Sequence, residues 1–183
     1  MDALNKSEPI MTTFDPEQMA VVSHAVAMAE DLVSDYYKLS ASELRQLNYD
    51  VKTAADLGAR ETVADHFAQI IRYRAEKQNA VLITSAQDFY KICVQDHSIL
   101  ACLEKHSAMA LYPFLVYVIC HELVHVVRFK RFQQRFDVPD DQKQTEEARV
   151  HRITHEILAP RKIKGMAPVF AFYENWLTAA EKS

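Results

Sequence analysis

A chain of 183 residues, 49% hydrophobic and 25% charged, is long enough to bury a core and fits one domain, 1–183, which excludes a disordered or fibrous protein. A net charge of −4 offers no basic surface of the kind that nucleic acid selects. Three cysteines without CxxC spacing, Cys93, Cys102 and Cys120, read as reduced buried thiols rather than a disulfide framework.

The first thirteen residues are expected to be a flexible segment, and the N-terminus has neither the basic run nor the apolar core of a secretory signal. The apolar run at 112–120 meets His121 and Glu122 before reaching membrane-spanning length, so a cytoplasmic protein without a membrane partner is expected. Asp15-Pro16 opens a helix with Met19, Val22 and Val26 on one face, running to about Tyr37. Ser40-Ala-Ser-Glu43 is a capping box that predicts a second helix toward Leu57, ended by Gly58. A third helix is predicted from about Arg60 to Ala75, with Val63, Phe67, Ile70 and Ile71 on a common side. "AVLIT", 80–84, is a strand or an extended linker.

Ser85 to Asp88 resembles a further helix cap leading into "DFYKICV", and Asp96 is expected to cap a short helix carrying Ile99, Leu100 and Leu103. A long helix follows from about Ala110 to Gln133, then "DVPDDQ" breaks the pattern. "KQTEEARVHRITHEIL" reads as a helix to about Ala159, and Pro168 starts a last one through Trp176. With two glycines and no Asn-Gly or Asp-Gly turn, the fold expected is all-α with at most one or two short strands.

The stretch "YPFLVYVICHELVHVVRF", 112–129, is apolar nearly all round, with Leu115, Ile119 and Leu123 on one side and Phe114, Val118 and Phe129 on the other. Such a helix belongs inside the domain, where an unpaired Glu122 would cost on the order of several kcal/mol or take up a proton. His121 and His125 lie about one turn apart and can meet one metal ion, with Glu122 on the shoulder of that face: the HExxH spacing. Without a metal, the same residues would be core histidines beside a glutamate paired with Arg128.

Two histidines make half of a tetrahedral site, so the metal reading needs a third protein ligand. In the next predicted helix Glu147 and His151 share one ridge and Glu146 and Val150 the adjacent one. A short connection between Gln133 and Asp140 would fold that helix back antiparallel on the HExxH helix, near His125.

His121-Glu122-Leu123-Val124-His125, followed some twenty residues later by a helical glutamate, resembles the gluzincin branch of zinc metallopeptidases over about 112–158. The resemblance implies one Zn2+ per chain and Glu122 as general base and then acid. It also implies Glu147 as third ligand, with His151 in the position that supports the first histidine. Glu146 and His151 stay open, in that order, as alternative ligands. Tyr117 and His155 are candidate donors to an oxyanion. The function expected is that of a zinc-dependent, metallopeptidase-like hydrolase acting on a peptide or protein.

Two other readings compete. Glu122-x-x-His125 is also the ligand step of helical di-iron or di-manganese carboxylate proteins, which need a second such pair and two more glutamates; Glu147, His151, Glu30 and Glu61 are the nearest candidates. The other reading is a non-catalytic metal-binding or regulatory module that meets an acidic partner through "RFKRFQQRF", 128–136. His24, His66, His97 and His106 lack ligand spacing, and Phe170, Tyr173 and Trp176 form a packing stripe.

Overall fold

In the computed structural model, which describes residues 12–74, 88–137 and 139–180, the first helix begins where Asp15-Pro16 predicts. Asp15 accepts the Gln18 backbone N–H and its own N–H donates to the Gln18 side chain, a reciprocal cap for α1, Pro16–Tyr37. Ala25, Ala29 and Val33 line its fully buried face. The small side chains at 25 and 29 let the long helix α4, Leu111–Lys130, pack closely against it. The predicted strand at 80–84 lies outside the described residues, as do residues 1–11 of the predicted flexible segment and residues 85–87 of the predicted cap.

The all-α expectation is overturned by a three-stranded mixed sheet of order β1-β3-β2, which makes the protein α/β. β1, Tyr49–Lys52, runs parallel to β3, Asp88–Val94, from the Tyr49–Tyr90 pair to the Lys52–Cys93 pair. β2, Ala68–Arg74, pairs antiparallel with β3 on its other side, from Ala68–Val94 to Arg74–Asp88.

Three predicted helices gave way to this sheet. The capping box at Ser40 does form, but its helix, α2, Ala41–Gln46, stops early. Asn48 adopts a left-handed conformation (φ 56°) and its amide donates to the Asp88 carbonyl at 3.0 Å, turning the chain into β1. The helix predicted over 60–75 is an irregular segment followed by β2, and "DFYKICV" is the central strand. The apolar spacing at 63, 67, 70 and 71 suits a helix, but "QIIRY" and "FYKICV" are rich in β-branched and aromatic residues, and mutual pairing decides the matter.

Tyr90, Ile92 and Val94 point from β3 into the core beneath α4; Phe129 stacks on Tyr90 (5.6 Å between centroids) and Phe67 meets Phe114 edge-on (5.0 Å). On the other face the Glu61 carboxylate accepts from Lys91 (2.8 Å), the Tyr73 hydroxyl (2.5 Å) and the Gly58 N–H (2.7 Å). Asp96 is not a cap but a buried staple at the start of α3, Asp96–Lys105, accepting the backbone N–H groups of Phe14 (2.9 Å) and Ala54 (3.0 Å).

α4 is long and apolar enough to cross a membrane, yet 83% of its most apolar stretch is buried inside the protein. It is covered by α1, the sheet, α5 (Asp140–Leu158) and α6 (Met166–Ala180). Tyr117 meets His151 while His121 and His125 meet Glu147, so α5 runs antiparallel to α4 as the short connection predicts. All three cysteines are free and buried.

Candidate metal centre

α4 places His121 and His125 one turn apart on the side facing α5, and α5 supplies Glu147 opposite them. Three side chains converge. His121 Nε2 lies 3.2 Å from Glu147 Oε2, His125 Nε2 3.2 Å from Glu147 Oε1, and the two Nε2 atoms 3.2 Å from each other. A tetrahedral ion with bonds of 2.0–2.1 Å sets neighbouring ligand atoms about 3.3 Å apart, close to the spacing of the two imidazole nitrogens and of each nitrogen from one Glu147 oxygen.

Proton counting favours a cation there. His125 Nδ1 lies 3.0 Å from the Gln134 carbonyl oxygen, which can only accept, so Nδ1 carries a hydrogen and a neutral His125 has none on Nε2. A neutral His121 can then bring at most one hydrogen to three mutual contacts. Its Nδ1 is buried without a hydrogen-bond partner. A cation at the centre satisfies all three donors at once. Two imidazoles and a carboxylate are a donor set that catalytic zinc sites use.

The three groups are electrostatically coupled. Burial works to raise the Glu147 carboxyl, but hydrogen bonds from His121 and His125 more than offset it and hold the group well below the usual carboxylate range. Burial works to lower His125, and Glu147 reverses this to leave it raised. The Glu147 side chain is 41% exposed against 10% and 7% for the two histidines, so the site opens to solvent on the α5 side. Glu122 sits beside the donors with its carboxyl pushed up by desolvation, and among the described residues none hydrogen-bonds it.

The remaining predicted residues separate. Glu146 is engaged elsewhere: it accepts from Arg128 at 2.7 Å and Arg149 at 2.5 Å. The same contact removes the pairing of Arg128 with Glu122. His151 does not support His121, whose Nδ1 stays without a partner; it pairs through Nδ1 with the Tyr117 hydroxyl at 2.9 Å.

A His151 nitrogen lies within 4.8 Å of the His121 and Glu147 donor atoms, so its ring adjoins the ligand cluster. Burial first and nearby His121 next push His151 down to about 3, leaving it neutral, and it stacks on Trp176 and Tyr173. The Tyr117 hydroxyl is therefore engaged by His151, and His155 packs on Phe170 (4.5 Å). Gln134, the residue that sequence reasoning missed, stands in a basic run that gave no signal beyond its charge.

No family model, curated protein or solved structure matches the chain, so the donor geometry carries the functional reading alone.

Proposed function

We propose that the protein is a zinc-dependent hydrolase of the metallopeptidase kind, holding one Zn2+ per chain through His121, His125 and Glu147. The observation that carries the reading is the convergence of the two Nε2 atoms, 3.2 Å apart, on the Glu147 carboxylate, whose two oxygens each lie 3.2 Å from one of them. Bound zinc would lower the pKa of a coordinated water to near 7 and polarise a carbonyl.

The chain's own residues supply the rest. Glu122, desolvated and without a described hydrogen-bond partner, accepts a proton and returns it to the leaving group. His151 is the donor in place of Tyr117 and His155. With no other described acceptor in reach, the buried Tyr117 hydroxyl donates to Nδ1, which leaves the ring's hydrogen on Nε2 for a developing oxyanion. A peptide substrate is supported by β2, which packs against α4 and pairs on one side only among the described residues; its other side can take an extended backbone. A cytoplasmic location goes with this reading, supported by the three buried free thiols.

The dinuclear reading is disfavoured because Glu30 and Glu61 are engaged elsewhere, by Tyr49 and by Lys91, leaving Glu147 as the carboxylate in contact with both histidines. Hydrolysis of an unfolded protein substrate by wild type and by Glu122→Gln tests the proposal. Zinc content equal in both, with the rate lowered about 10²–10⁴-fold in the variant, supports it; equal rates would leave a non-catalytic metal module.

A further inference from the structure

We infer that Gln134 is a positioning residue of the metal site, acting through His125, and that Arg128 fixes Gln134 in place. The inference rests on the metal reading of His121, His125 and Glu147 but not on hydrolysis. A ligating imidazole must present a bare nitrogen in a fixed direction, and a hydrogen-bond acceptor on its other nitrogen sets both the tautomer and the ring plane. Gln134 Oε1 is such an acceptor, 3.0 Å from His125 Nδ1. His121, by contrast, has no partner on its Nδ1 among the described residues, so His125 is the histidine whose orientation they specify.

The chain around Gln134 is built to hold it. α4 ends with Phe132 in the left-handed region (φ 54°), which reverses the backbone so that the N–H groups of Gln133 and Gln134 both donate to the Arg128 carbonyl, at 2.9 and 3.3 Å. The buried Arg128 guanidinium donates back to the Gln133 carbonyl at 3.2 Å and to Glu146 at 2.7 Å. One side chain thus ties the loop bearing Gln134 to the turn of α5 bearing the ligand Glu147. The acceptor on one histidine and the carboxylate opposite it are set by the same clasp.

The test is the zinc dissociation constant of the full chain, by competition with a chromophoric chelator, for wild type, Gln134→Leu and Gln134→Glu. The visible spectrum of each Co2+-loaded form is recorded alongside. Leucine keeps the volume of the half-buried side chain and deletes the acceptor; glutamate keeps the acceptor. The expected result is zinc binding weakened about 10- to 100-fold in Gln134→Leu with a changed cobalt spectrum, and binding and spectrum close to wild type in Gln134→Glu. Unchanged affinity and spectrum in Gln134→Leu would overturn the inference, as would equal weakening in both variants. Wild type that takes up no zinc would instead overturn the metal reading beneath it.

Discussion

Glu146 and Glu147 are neighbours in sequence with opposite fates. One is spent on Arg128 and Arg149, and the other faces two histidines. Glu146→Ala would leave the Arg128 guanidinium buried without its counter-ion. A loss of about 3 kcal/mol in urea unfolding is expected, with zinc stoichiometry at saturating metal unchanged because none of the three donor side chains is removed. Phe132 shows the reverse case. Its side chain is 95% exposed and its φ is positive, so Phe132→Gly relieves backbone strain at the cost of no packing. The variant should be more stable by about 0.5–1 kcal/mol in the same assay. The histidine pair was legible because its spacing alone puts both rings on one helix face. The choice between the two glutamates was not, because it depends on where an arginine eighteen positions earlier is held.

Among the elements, helices with their own local signals came through. α1 starts at its cap, and α4 and α5 meet as the short connection between them requires. The sheet did not come through. β3 is buried along most of its length and shows no clean alternation, and the partners that make it a strand lie before it at 49–52 and 68–74. One product of this long-range assembly is the Glu61 cluster, which clamps the irregular segment before β2 onto Lys91 of β3 and Tyr73 of β2.

Hydrogen bonds from Lys91, Tyr73 and the Gly58 backbone, in that order, hold the Glu61 carboxyl down at about 2 against an ordinary 4.5. Its folded pKa lies below the unfolded one, so its contribution is complete above about pH 4.5 and is lost as pH falls through 2. The urea midpoint of wild type should therefore drop across that window. Glu61→Gln should lose less there, and an identical drop in both proteins would show that the clamp contributes no pH dependence.

For the whole molecule, α4 is both the centre of the core and the carrier of the histidine pair. Sheet, α1, α5 and α6 all close on it, and its ligand side meets solvent through the partly exposed Glu147. Truncating a core residue on this helix away from the site, Leu123→Ala, should cost about 2–5 kcal/mol and loosen the frame on which the metal donors are set. Thermal unfolding with and without added Zn2+ would show both effects. In wild type the metal should raise the midpoint, because it binds the folded state alone. Burial of an HExxH helix was evident from its composition. The layers that bury it were not, since part of the cover is a sheet assembled from segments far apart in the chain.

The most direct measurement is metal content per chain, by plasma mass spectrometry, on purified wild type, His121→Ala, Glu147→Ala and Glu146→Ala. The account predicts one zinc per chain in wild type and in Glu146→Ala, with loss in the other two. Two metal ions per chain, or zinc retained when Glu147 is removed but lost with Glu146, would contradict it.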